Sequence, residues 1–145
     1  METLTDRDFC PEWHDALALL SRDLAATEPE AEPFAPLLDA YGVFVGFRSW
    51  GAQGSPLREE AGLPEVADAA QESAVEHLWR TWPVCPEHGL GLHPRLREED
   101  GAKVWWCGGR GPASGHGTPV GTLEARRTIS RRASRRGRKR WLGLR

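Results

Sequence analysis

Apolar residues along the chain form two helix-like stripes and one strand-like run before the pattern changes character. From Pro11 to about Ala26, Trp13, Ala16, Leu17, Leu20 and Leu24 recur at steps of three and four, which puts them on one side of an amphipathic helix. Pro11 suits the first turn, where its missing N–H has no helical partner to lose. "TEPEAEPFAP" then breaks the period with three prolines and three glutamates and reads as an acidic connector with no order of its own. In "YGVFVGFRSW", residues 41–50, Val43, Val45 and Phe47 alternate with Phe44 and Gly46, and the β-branched and aromatic content predicts a buried strand. "GAQGSPLREEAGLP" is a loop, closed by Pro64 at the start of a second helix that runs to about Trp79. Along it Val66, Ala70, Ala74 and Leu78 form one row, with Val75, Trp79 and Trp82 flanking.

The next stretch, "WPVCPEHGLGLHPRLREEDGAKVWWC", has the outline of a knuckle, a hairpin and a return strand. Asp100-Gly101 is a hairpin-turn dipeptide between "GLHPRLR" and "AKVWWC". "TPVGTL", 118–123, is placed to add a third strand. Beyond Leu123 too few apolar residues occur to pack until Trp141, Leu142 and Leu144, and no internal repeat is found. The expected fold is therefore α+β: two helices and a strand packed with a zinc-ribbon-like β-hairpin, plus a disordered basic C-terminal tail. Residues 1–81 form the helical and strand body, 82–123 the hairpin within the same compact unit, and 124–145 the Arg-rich tail.

A chain of 145 residues is the size of one ordinary domain. Gly and Pro together make 16 + 11 = 27 of those residues, which predicts many loops, a small core and modest stability. No apolar run approaches the roughly 20 residues needed to cross a bilayer. The start "METLTDRD" carries acids where a secretory signal carries bases, so a cytoplasmic protein with no membrane partner is expected. Cysteines at 10, 85 and 107 are odd in number, which favours free thiols or a metal over a disulfide framework. The bases are 17 Arg and 2 Lys, a bias that suits a GC-rich genome.

Charge changes the picture most. The net −2 averages two unlike pieces: residues 1–123 carry 9 Lys+Arg and 20 Asp+Glu, a balance of −11, whereas 124–145 carry 10 and 1, a balance of +9. Any partner has to be argued for each piece separately.

The candidate chemistry is a metal site. A structural zinc takes four soft or borderline ligands, and a zinc ribbon supplies two from each of two tight turns. Cys85-Pro-Glu-His88 has the spacing of a first pair, and Cys107 follows after 18 intervening residues, in range of a second turn. The fourth ligand is the difficulty, because the expected position holds Arg110. His116 is the nearest candidate, after eight intervening residues, "GGRGPASG". His93 lies on the hairpin, and Cys10 with His14 reaches the ribbon only if the first helix packs beside it. The metal reading thus takes Cys85, His88, Cys107 and His116 around zinc. Its alternative makes Cys85 and Cys107 small buried hydrophobes at hairpin ends, with His88 in a turn. A catalytic zinc with water as fourth ligand ranks last, since no motif places a glutamate as general base.

"LWRTWPVCPEHGLGLHPRLREEDGAKVWWC" followed by "PVGTL" resembles a segment of small uncharacterised actinobacterial proteins: a helix ending near Trp-Pro, then Cys-Pro-x-His, a hairpin, a Trp-x-Cys or similar, and a short hydrophobic-glycine end. The upstream helix and "FVGFRSW" resemble the same group, so the likeness covers roughly residues 8–123. It implies Cys85, His88 and Cys107 as matching positions, leaves the fourth ligand unassigned and brings no activity.

Seven tryptophans, at 13, 50, 79, 82, 105, 106 and 141, are many for this length. Core duty is expected of Trp79, Trp82 and one of Trp105 and Trp106, which alternation puts on opposite faces. The outward member of that pair is a candidate binding residue. The chain contains no Gly-rich phosphate loop, Gly-x-Ser-x-Gly elbow or His-Glu-x-x-His, so no enzyme is expected. Acids in "PLREEAG" and "REED" read as solvated charge, and His77 as a surface or packing residue.

The tail has three readings. As a nucleic-acid arm, Arg131, Arg132, Arg135, Arg136, Arg138, Lys139 and Arg140 contact phosphates and Trp141 stacks on unpaired bases. Alternatively it folds onto the acidic body, or onto a second copy. In the third reading it is a product of reading frame without function, and "RRAS" at Ser134 is then a chance match to a basic-directed kinase site. The function expected overall is non-catalytic binding, as a zinc-ribbon-like nucleic-acid or protein adaptor. The alternative is a structural or protein-interaction domain without metal, meeting a protein partner through its acidic body and carrying a non-functional basic tail; a zinc enzyme is a distant third.

Overall fold

The computed structural model describes residues 2–3, 10–111 and 114–125. Nearly all of the expected tail, including the eight residues proposed for nucleic-acid contact, lies outside them. The elements in order are β1 (Glu2–Thr3), α1 (Pro11–Thr27), β2 (Ala35–Asp39), β3 (Gly42–Phe47), β4 (Gly51–Ala52), α2 (Leu63–Leu78), β5 (His93–Leu96), β6 (Lys103–Cys107) and β7 (His116–Pro119). They build two antiparallel sheets, β1-β2-β3-β4 and β5-β6-β7, with the two helices: an α+β fold.

Helix α1 forms as its stripe predicts, with Pro11 in its first turn and Trp13, Ala16, Leu17, Leu20 and Leu24 buried. Leu20 and Leu24 are almost wholly removed from solvent, and each contributes about 1.5–3 kcal/mol of burial. Helix α2 is entered through Gly62, whose N–H donates to the Glu65 carboxylate at 2.8 Å, a bond that satisfies one of the unpaired donors of the first turn. Its buried row is Val66, Ala67, Ala70, Ser73 and Ala74. The small side chains bring α2 close to both α1 and β3. Ser73 donates to the Val45 carbonyl at 2.6 Å and accepts from the Gln53 N–H at 2.9 Å, so a buried hydroxyl ties α2 to the first sheet.

Two expectations need correction. "TEPEAEPFAP" is not a free connector: Phe34 is buried, and Ala35 opens β2, which pairs along its whole length with β3. Among the described residues Pro36 pairs on one side alone, with Val45 of β3, a setting in which a strand tolerates proline. The expected single strand is therefore the third of four. Its partner β4 crosses so close to Gly46 that a Cβ there would lie 2.2 Å from the Gly51 carbonyl oxygen, which is why this strand carries glycine at its penultimate position.

Trp79 is the second correction. It ends α2 in the left-handed conformation, φ 58°, and is 92% exposed, so it does not pack on the hairpin. Trp82, three residues on, does: its ring meets Trp105 edge-on at 5.6 Å and Phe34 at 5.6 Å, and its indole N–H donates to Thr27 Oγ1 at 2.8 Å. His77 packs against Phe47 and Trp50, as the packing reading expected.

The second sheet forms around the predicted Asp100-Gly101 turn, but β7 begins at His116, two residues earlier than expected. It is fastened to α1 by Asp23. This fully buried carboxylate accepts the Trp105 indole N–H at 2.8 Å, the Gly121 N–H at 2.7 Å and the Leu123 N–H at 3.0 Å. The segment "PVGTL" is thereby folded against α1, with Val120 and Leu123 in the main core.

Candidate metal centre

Two tight turns and one strand register assemble the site. In the first turn the Gly89 N–H donates to the Cys85 carbonyl at 2.9 Å and the Cys85 N–H to the Leu90 carbonyl at 2.8 Å. Gly89 adopts φ +69°, a conformation that costs glycine nothing and allows the chain to reverse directly after His88. The second turn repeats this at Gly109, φ +70°, whose N–H points at Cys107 Sγ at 3.4 Å. A second ribbon ligand at Arg110 is absent, as the sequence says. The Arg110 guanidinium instead donates from Nε and Nη2 to the His88 carbonyl, at 3.3 and 2.9 Å, and so ties the second turn to the first.

The fourth side chain comes from β7. His116 is the direct partner of Cys107 across the β6/β7 pair, and residues directly opposite in an antiparallel pair project from the same face. Its neighbours fix this placement. Gly115 and Gly117 fall on the opposite face, where a Cβ would lie 2.6 Å from the Trp106 ring or 2.9 Å from Val104 Cγ2. Only glycine on both sides of His116 lets β7 lie so close to those side chains.

The result is a cluster of four potential ligand atoms, from Cys85, His88, Cys107 and His116, all within 4.8 Å of one another. Cys85 Sγ is 3.4 Å from His88 Nδ1 and 3.3 Å from His116 Nε2, and Cys107 Sγ is 3.5 Å from His88 Nδ1. Sulfur and nitrogen ligands at ordinary zinc bond lengths, about 2.3 and 2.0 Å in a tetrahedron, lie about 3.6 Å apart. The three separations match that edge. Hydrogen bonding accounts for them less well, because His88 Nδ1 faces both sulfurs while Cys85 Sγ faces both rings, and one thiol hydrogen serves one acceptor.

Both sulfurs are buried and both imidazoles half-buried, so the ligand set opens toward solvent on its histidine side. Burial pushes the Cys107 thiol up from its ordinary value; the Gly109 N–H opposes this and the adjacent Cys85 adds to it. A cation beside the two sulfurs would favour their charged form. The four side chains lie close enough together to hold a metal ion with ligands drawn from the chain alone.

Of the other candidates, His93 is exposed and opposite Trp106, and neither it nor Cys10 or His14 belongs to the cluster. Trp106 is the outward, half-buried member of its pair, and the Arg95 guanidinium lies over one face of its ring, 4.4 Å from the centroid. Asp23 escaped sequence reasoning altogether: its signal is a lone acid four residues after Leu19 and one before Leu24, on the side of α1 that the apolar stripe already claims. No helix among the described residues is long and apolar enough to cross a membrane. No family model, curated protein or solved structure matches the chain.

Proposed function

We propose that the protein is a small non-catalytic binding module built around a structural zinc ion held by Cys85, His88, Cys107 and His116. The observation that carries this reading is the four-atom cluster, whose sulfur–nitrogen separations of 3.3 to 3.5 Å fit a tetrahedral ligand shell. A set of two sulfurs and two nitrogens in tetrahedral array suits zinc better than harder cations. Four protein ligands fill the sphere and leave no position for a substrate or an activated water, which favours a structural over a catalytic role. Zinc here joins the first turn, β6 and β7, so the ion fixes the far end of the second sheet as Asp23 fixes the end nearer α1. Free thiols as ligands suit a reducing compartment, in keeping with a cytoplasmic location.

Cobalt(II) substitution of the untagged full chain tests the ligand set. The wild type is expected to give the visible bands of tetrahedral cobalt with sulfur ligation. His116→Ala should lose or shift them, and His116→Cys should keep tetrahedral bands with stronger sulfur-to-metal charge transfer. A wild type that takes up cobalt only in octahedral form contradicts the reading.

A further inference from the structure

A groove of about 370 Å³ opens between the 55–61 loop and the first half of α2. Its apolar lining includes Leu57, Ala61 and Ala69, and its rim carries Glu60, Glu65, Asp68 and Glu72 against one base, Arg58. The walls are held in place: the Leu57 N–H donates to the Val43 carbonyl at 2.8 Å, and the preceding stretch is tied to α2 through Gln53 and Ser73. The side chains of Glu60, Asp68 and Glu72 form no hydrogen bond or ion pair among the described residues. Partial burial raises the Asp68 carboxyl above its ordinary value, the charges of Glu72 and Glu65 add to the rise, and His93 opposes it. The groove thus combines apolar surface with mutually repelling carboxylates, and a ligand that suits it is cationic with an apolar part.

The chain itself carries such a segment. Residues 126–145 contain nine Arg, one Lys and no acid, and their apolar residues gather at the end, in "RKRWLGLR". Arg138 lies 13 residues beyond Ala125, a length of chain that spans up to about 43 Å, more than the roughly 35 Å diameter of a domain this size. The segment is therefore long enough to reach faces of its own body well away from where the described chain ends. We propose that the groove is the docking site of the chain's own residues 138–145, with arginines on the acidic rim and Trp141 and the leucines on the apolar lining. This inference stands apart from the zinc reading and does not depend on it.

Lys139 makes it testable, because Lys103 is the only other lysine. The full chain is treated with a carbodiimide, which joins an amine to a carboxylate already in contact with it, and the products are mapped by mass spectrometry. Docking predicts an amide at monomer mass between Lys139 and a rim carboxylate, with yield falling severalfold in 0.5 M salt. The yield should fall at least as far in E65Q/D68N/E72Q, in which the new amide oxygen at position 65 still accepts the Gly62 N–H. Because that variant changes the body, a tail variant, W141A/L142A/L144A, is run beside it and should also lower the yield severalfold. Amides from Lys139 only to carboxylates elsewhere, products only at dimer mass, or no Lys139 amide would each overturn the proposal. So would a yield unchanged in both variants. A nucleic acid that binds the tail with no effect on the Lys139–rim yield would also overturn it, since the same arginines cannot serve both.

Discussion

Cys107 and His116 face each other across β6 and β7, and this pairing brings to the cluster the fourth potential ligand that a two-turn ribbon would have placed at position 110. The cluster is a tight turn on one side and a cross-strand pair on the other. Its geometry therefore depends on strand register, because a slip of one residue would turn His116 to the opposite face.

Register gives the first prediction. Gly117→Ala puts a Cβ 2.9 Å from Val104 Cγ2 and 3.1 Å from Val104 Cβ, at a fully buried residue, so β7 has to move. Although Gly117 ligates nothing, the substitution should weaken metal binding by about 10–100-fold, as loss of a supporting contact does. Competition with a chromophoric chelator measures it, and unchanged affinity would show that β7 does not position the site.

Asp23 gives the second. Asp23→Ala strands the Trp105 indole, the Gly121 N–H and the Leu123 N–H in the interior. A loss of about 3–5 kcal/mol in urea denaturation is expected, as for other broken buried charge networks. Asp23→Asn, which keeps one acceptor oxygen and the volume, should lose less. Equal losses would mean that volume, not hydrogen bonding, sets the cost.

Trp79 gives a gain. Its ring is 92% exposed and its backbone is left-handed, so Trp79→Gly removes strain without removing packing. Thermal unfolding should show a stabilisation of about 1 kcal/mol. A loss would reveal a contact for this ring.

The Asp100 turn sets a pH response. Asp100 accepts two bonds from the Arg97 guanidinium, at 2.9 and 2.6 Å, and one from the Ala102 N–H at 3.0 Å. The Arg97 bond first, then the Ala102 bond, holds the carboxyl down to about 2. Because the folded value is depressed, its contribution is complete above the unfolded value, ordinarily 3.8, and is lost as pH falls through about 2. Carboxyl chemical shifts followed by NMR should give that midpoint, and in Arg97→Ala the midpoint should move toward the ordinary value.

Both helices were legible because their stripes are long and their start signals, Pro11 and Pro64, are explicit. Strand β2 was not, since prolines and glutamates at its approach read as a break, and the turn after it, Ala40-Tyr41, lacks the usual hairpin dipeptide; Asp39 supplies its order by accepting the Tyr41 N–H at 2.7 Å. Trp79 was misplaced because periodicity carries no information about where a helix turns left-handed. All four cluster residues could be named from the sequence, but the reason for His116 lay in the glycines flanking it, whose meaning appears only against Trp106 and Val104. Asp23 was hidden because its partners lie 82 to 100 residues away.

The central claim, a zinc ion on four side chains, is tested most directly by elemental analysis of the full chain purified without a histidine tag, repeated after Cys85→Ser. One zinc per chain is expected in the wild type, with a large loss in the variant. A wild type that is folded and free of metal would contradict the claim, because a structural zinc contributes to folding itself.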